Sequence, residues 1–166
     1  MTGTSGPGDV PMRRHHRVLG ALAAFGLLAV TQAPGAVERS PLPDEKPFAE
    51  VHVVLQLSDG DVQHQAQVLN VAGNLIAHYG SPDLIDIEIV AFGPGIALLY
   101  EGNDNAARIS SLAESGVRFI GCMNTVETIA RQTGKHPKLN PLTIPVQAGV
   151  AHLIDRSGQG YTLIRP

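Results

Sequence analysis

Tryptophan is absent from this 166-residue chain, cysteine occurs once, and aromatic residues make up only 4%. Base-stacking platforms therefore have little material, and a formal net charge of −3 provides no basic stripe for a phosphate backbone, so nucleic-acid binding is not expected. A single cysteine rules out an internal disulfide. In an oxidising compartment such a thiol must be buried, paired with another chain, or used. The histidines beyond the first quarter, His52, His64, His78, His136 and His152, show neither HxxH nor HExxH spacing, so no metal site is expected. No GxSxG elbow is present, and a serine hydrolase has no support.

What is present begins with an export pattern. Arg13-Arg14-His15-His16-Arg17 forms a positive region, Val18 to Val30 an uncharged apolar run, and Ala33-Pro34-Gly35-Ala36 a small-residue cleavage context. The run is short for a spanning helix. Residues 1–36 are expected to be a signal peptide, cleaved after Gly35 with Ala33 at the third position back, or else an uncleaved N-terminal anchor. His15 and His16 follow the paired arginines and no Phe-Leu pattern does, which favours general secretion over the twin-arginine route. Either way the domain is expected to be periplasmic or secreted, with no other membrane association. Setting this segment aside removes Asp9, Arg13, Arg14 and Arg17 from 15 acidic and 12 basic residues, leaving fourteen and nine, net −5. Residues 37–48 carry three prolines and five charges without periodicity and read as a flexible linker.

The domain, 49–166, alternates strand and helix patterns. Residues 50–57 and 85–92 are β-branched and largely apolar, as strands covered on both faces should be, and 62–79 shows helical spacing closed by Gly80-Ser81-Pro82-Asp83. Gly93-Pro94-Gly95 leads into a short apolar turn, Ile96 to Tyr100. A helix is expected over 106–114, a strand ending at Cys122, and a helix from Met123 to about Gln132. A strand at 143–146, placed at a sheet margin by Pro145, a helix at 149–156 and a last strand at 161–165 complete the order. That order predicts a three-layer α/β domain with an open, mostly parallel five-stranded sheet of flavodoxin-like or Rossmann-like type. If the strand order is 2-1-3-4, ligands would bind between the first and third strands, and Ser58-Asp59 would face Cys122.

Cys122 ends a strand and is followed at once by a helix, which aims unpaired N–H groups at the sulfur and favours a thiolate. The competing reading is an inert packing cysteine. Asp59-Gly60-Asp61 is similar to the aspartate pair of haloacid-dehalogenase-type phosphatases, but no later aspartate pair follows, and a turn with a helix cap explains it better. Gly93-Pro94-Gly95 is a weak nucleotide signal: Leu98 stands where a third glycine belongs and Pro94 removes an N–H. His64, near the first loop, is a candidate assistant to Cys122.

From Val51 to Pro166 the chain resembles the DsrE/DsrF-like proteins of sulfur metabolism, particularly stand-alone members. The resemblance is carried by Val53-Val54-Leu55-Gln56-Leu57-Ser58-Asp59, Val90-Ala91-Phe92-Gly93-Pro94-Gly95, Gly116-Val117-Arg118-Phe119-Ile120-Gly121-Cys122-Met123-Asn124-Thr125, Val146-Gln147-Ala148-Gly149-Val150 and the terminal Gly160-Tyr161-Thr162-Leu163-Ile164-Arg165-Pro166. It implies an α/β domain that assembles as homotrimers or hexamers. It also implies a sulfur-carrier or sulfurtransferase-like protein whose Cys122 carries a persulfide between a donor and an acceptor protein or thiol, without a cofactor. The N–H groups of Asn124 and Thr125 would stabilise the sulfur anion, Ser58 and Asp59 would shape the pocket, and Gly93, Pro94, Gly95 and Gln147 would form its rim. The alternative is a non-enzymatic oligomeric module of the same fold that binds a small ligand.

Overall fold

Β-branched and aliphatic residues at Val51–Leu57 form β1, whose neighbours on both sides are other strands. The computed structural model of the protein describes residues 2, 3, 46 and 49–166. Apart from Thr2 and Gly3, the expected signal segment lies outside the described residues, as does all of the expected linker except Lys46. Helix α1, Val62–Tyr79, starts where the Asp61 carboxylate accepts from the His64 N–H at 2.9 Å, and it ends at Gly80 in the left-handed conformation. Strand β2, Ile85–Ala91, is buried at every position because it lies in the middle of the sheet. A 3₁₀ segment, Gly93–Leu99, then precedes α2, Ala106–Glu114, and β3, Arg118–Cys122. Helix α3, Met123–Thr133, β4, Thr143–Val146, α4, Gly149–Gly158, and β5, Thr162–Ile164, complete the domain.

All four strand pairings are parallel, and the order is β4-β3-β2-β1-β5. The three-layer α/β architecture is as expected, with an all-parallel sheet. The 2-1-3-4 order is not what forms. The chain steps steadily from β1 to β4, and only α4 carries it back to place β5 on the far side of β1. Right-handed crossovers taken in one direction put α1, α2 and α3 on one face, while the return crossover puts α4 on the other. Pro145 sits in an edge strand, as expected for a residue without an N–H.

The two faces differ in content. Leu55, Ile89 and Phe119 stand in register on the first face and join Val68, Leu69 and Ile109 in an apolar core. On the second face Val54, Val90 and Ile120 pack against Leu153 of α4 and Tyr161. The Lys46 ammonium donates to the carbonyls of Ser115 at 2.9 Å, Ile85 at 3.3 Å, and Pro82. Gly116 leaves room for it, since a Cβ there would fall 2.4 Å from Lys46 Cε.

Candidate functional site

Continuing the register past β2 and β3 sets Phe92, Cys122 and Val146 in one row on the α4 face, at the carboxyl edge of the sheet. Cys122 occupies the N-cap position of α3 in extended conformation, and it is 5% exposed. Its Sγ lies 3.8 Å from the Gln147 carbonyl. Burial alone would raise its pKa. Against burial act the Gly149 N–H first, then the Thr125 hydroxyl and N–H, and last the Asn124 N–H, which is shared with the Gln147 carbonyl; together they outweigh it and hold the thiol below its ordinary value. Cys122 therefore sits between two helix N-termini, those of α3 and α4. The sequence pointed to the first of these only.

Each neighbour is itself held. Thr125 Oγ1 accepts from the Gly93 N–H at 3.0 Å, which leaves its proton available to the sulfur. The Asn124 N–H donates to the Gln147 carbonyl at 3.0 Å, and Gln147 Nε2 donates to Asn124 Oδ1 at 2.6 Å. Gln147 and Asn124 are thus clasped beside the thiol by two bonds. Gly149 makes this close approach easy, because a Cβ there would lie 3.1 Å from Cys122 Cβ and 3.3 Å from Phe92 Cβ and would push both by a few tenths of an ångström. Sequence reading missed Gly149 and Phe92. A glycine opening a helix, rather than closing one, was the available signal.

Ser58 and Asp59 do not face Cys122. Strand β2 lies between β1 and β3, so two strand spacings, roughly 10 Å, separate the ends, and Phe92 fills the interval on the α4 face. The order in which strands are added reverses between β1 and β5 instead. Near that point Asp59 contacts His64 Nδ1, and His64 Nε2 lies 2.8 Å from the Pro166 carbonyl oxygen. His64 is therefore committed to Asp59 and Pro166 rather than to the thiol. Asp59 also accepts from the Asp61 N–H at 3.3 Å and Asp61 caps α1, so the acidic pair is a turn and a cap.

The Gly93-Pro94-Gly95 turn is a close-approach device. A Cβ on Gly95 would fall 2.4 Å from the Leu57 carbonyl oxygen, and Gly93 has φ of 52°. Its N–H groups are spoken for, Gly93 by Thr125 and Gly95 by the Phe92 carbonyl at 3.1 Å, so the turn offers no phosphate cradle. Gly93, Pro94, Asn124 and Thr125 do share a cavity of about 450 Å³ between the 3₁₀ segment and α3. Cys122 is not part of its wall; the first turn of α3 separates the two. Among the described residues no group of three or more His, Cys, Asp or Glu side chains is placed to hold a metal ion.

No family model matches the chain, and no curated protein matches it. Among solved structures it is similar to a protein of unknown function, MTH1491 from Methanobacterium thermoautotrophicum. The two are 27% identical with a TM-score of 0.63, over 70% of this chain and 100% of that one. The likeness is consistent with the α/β fold and carries no activity with it.

Proposed function

We propose that this chain is an exported sulfur carrier of the DsrE/DsrF-like kind, with Cys122 as the persulfide site. The observation that carries the reading is the placement of the buried Cys122 at the N-cap of α3 with Gly149, the first residue of α4, packed against it, so that two helix starts favour a thiolate there. In the loading step the Cys122 thiolate attacks the outer sulfur of a donor persulfide, R–S–SH. The donor S–S bond breaks, the donor leaves as a thiol after taking up the proton, and Cys122 holds a persulfide. In unloading, an acceptor thiolate attacks that outer sulfur, a new S–S bond forms on the acceptor, and Cys122 departs as thiolate. One sulfur atom moves in each step and no external oxidant or reductant is needed.

The basic segment before residues 18–30 supports export, and Val150, Ile154 and Leu163, all exposed, support a homo-oligomer. The deciding measurement is the mass of the purified protein after incubation with thiosulfate, polysulfide or glutathione persulfide. A gain of about one sulfur, removed by dithiothreitol and absent in Cys122→Ser, is the expected result. An unchanged mass with every donor would overturn the reading. The burial of Cys122 and the neighbouring cavity favour one alternative, a small-ligand-binding module in which the thiol only packs. That alternative predicts a Cys122→Ser protein that still binds its ligand.

A further inference from the structure

A connected cluster of ionic and polar side chains is buried between α4 and the sheet, below the row that holds Cys122. Glu88 of β2 is fully buried. Its Oε1 accepts from Arg156 at 3.0 and 2.7 Å and from Arg118 of β3 at 3.2 and 3.0 Å. Its Oε2 lies 2.6 Å from Nε2 of His152. Asp86, also fully buried, pairs with Arg118 at 2.7 Å and accepts from Tyr161 at 2.6 Å. The Arg156 guanidinium stacks over Tyr161, with its central carbon 4.9 Å from the ring centre, and His52 of β1 meets the edge of that ring. Lys46 faces the same cluster from the chain before β1: its backbone N–H reaches Asp86 at 3.5 Å, and its ammonium is attracted by Asp86 and repelled by Arg118.

Apolar contact alone would hold α4 loosely, because aliphatic surfaces attract without direction and would let the helix slide or roll. His152 and Arg156 are four residues apart and therefore share one helical face, and each takes one oxygen of the same carboxylate. Two directional attachments to one buried point set both the axial position and the rotation of the helix. Gly149 lies on that same face, one turn before His152, and it is Gly149 that abuts Cys122.

We propose that Glu88, through His152 and Arg156, is a positioning residue for Cys122: it holds α4 at the height and rotation that pack the start of that helix, at Gly149, against the thiol. The inference rests on Cys122 as the working group of the proposed function, but not on sulfur as its cargo. A buried ion pair is weak as a source of stability compared with apolar packing of the same volume, whereas its directionality suits a registering device.

The test is the pH profile of Cys122 alkylation by iodoacetamide in the full chain, where one cysteine makes the signal unambiguous. The midpoint reports ionisation separately from access. In the wild type it lies below that of an ordinary thiol. In Glu88→Gln it moves up, and the rate at pH 7 falls about two- to fivefold, the size of a helix-terminus contribution. His152→Ala moves it in the same direction by less, and His152→Gln, which keeps an N–H donor for Glu88, restores it. Ile109→Val, in the core of the opposite face, leaves it unchanged.

The inference is overturned by an ordinary midpoint in the wild type, or by wild-type midpoints in folded Glu88→Gln and His152→Ala. Should Glu88→Gln not fold, the two His152 variants decide. A midpoint that shifts as described in a protein that never gains sulfur keeps the positioning role and sinks the carrier. Sulfur uptake with unmoved midpoints does the reverse.

Discussion

The two faces of this sheet are built on different principles. Against α1, α2 and α3 the strands present Leu55, Ile89, Phe119 and their neighbours, a core in which size and hydrophobicity are the whole requirement. Against α4 they present a small apolar cluster flanked by Asp86, Glu88 and Arg118 on one side and Cys122 on the other. The first face tolerates changes that conserve volume. The second depends on direction, since each ionic or N–H contact there has a required geometry. Reactivity is expected where position is fixed, and the thiol lies on the second face.

The largest effect that bears on this contrast is the loss of Arg118. Arg118→Ala leaves two buried carboxylates short of a partner and is expected to cost about 3–5 kcal/mol in urea unfolding. Ile109→Val on the opposite face is expected to cost about 0.5–1.5 kcal/mol. A smaller cost for Arg118→Ala than for Ile109→Val would erase the distinction between the faces.

Next comes acid. Burial opposes the charge on Glu88, but His152 and Arg156 overcome it and hold the carboxyl down at about 2. Because the folded value is depressed, its contribution, on the order of 3 kcal/mol, is present in full above the unfolded value near 4.5 and is lost as the pH falls from there to about 2. Unfolding free energies measured across that window should slope steeply in the wild type. In Glu88→Gln the slope should flatten, and an unaltered slope would assign the acid sensitivity elsewhere.

Gly149→Ala sharpens the comparison at the site itself. The added methyl meets Cys122 and Phe92, so about 1–3 kcal/mol of stability is expected to go, together with the lowered midpoint of thiol alkylation. Retention of that midpoint would mean that α4 contributes nothing to the sulfur. The smallest effect belongs to Thr125→Val. It removes the hydroxyl that faces Sγ and the acceptor of the Gly93 N–H, and it is expected to raise the alkylation midpoint by less than Gly149→Ala does.

Much of this was legible from local chemistry. Asp61 and Gly80 bracket α1 because a carboxylate satisfies free N–H groups at one end and a glycine accepts a positive φ at the other. Cys122 at the start of α3, the edge placement of the Pro145 strand and the crowded Gly93-Pro94-Gly95 turn follow from equally local rules. The pairing of loops did not. An alternating strand and helix pattern dictates the hand of each crossover but not whether the next strand is added to the left or the right. Ser58 and Asp59 were therefore assigned to the wrong neighbour, and the charges in Ile85-Asp86-Ile87-Glu88 gave no sign that their partners lay on β3 and α4.

By itself, then, the sequence determined which segments become strand or helix, where each ends, and that one thiol stands at a strand-to-helix junction, because propensity, capping and period act over a few residues. Only the tertiary structure decided that α4 alone, among the described helices, returns across the second face. That return brings the Gly149 N–H to Cys122 and seats Arg156 and His152 on Glu88. The reason is physical: these contacts join residues 27 to 68 positions apart, and their geometry comes from how the crossovers stack, which no local pattern encodes.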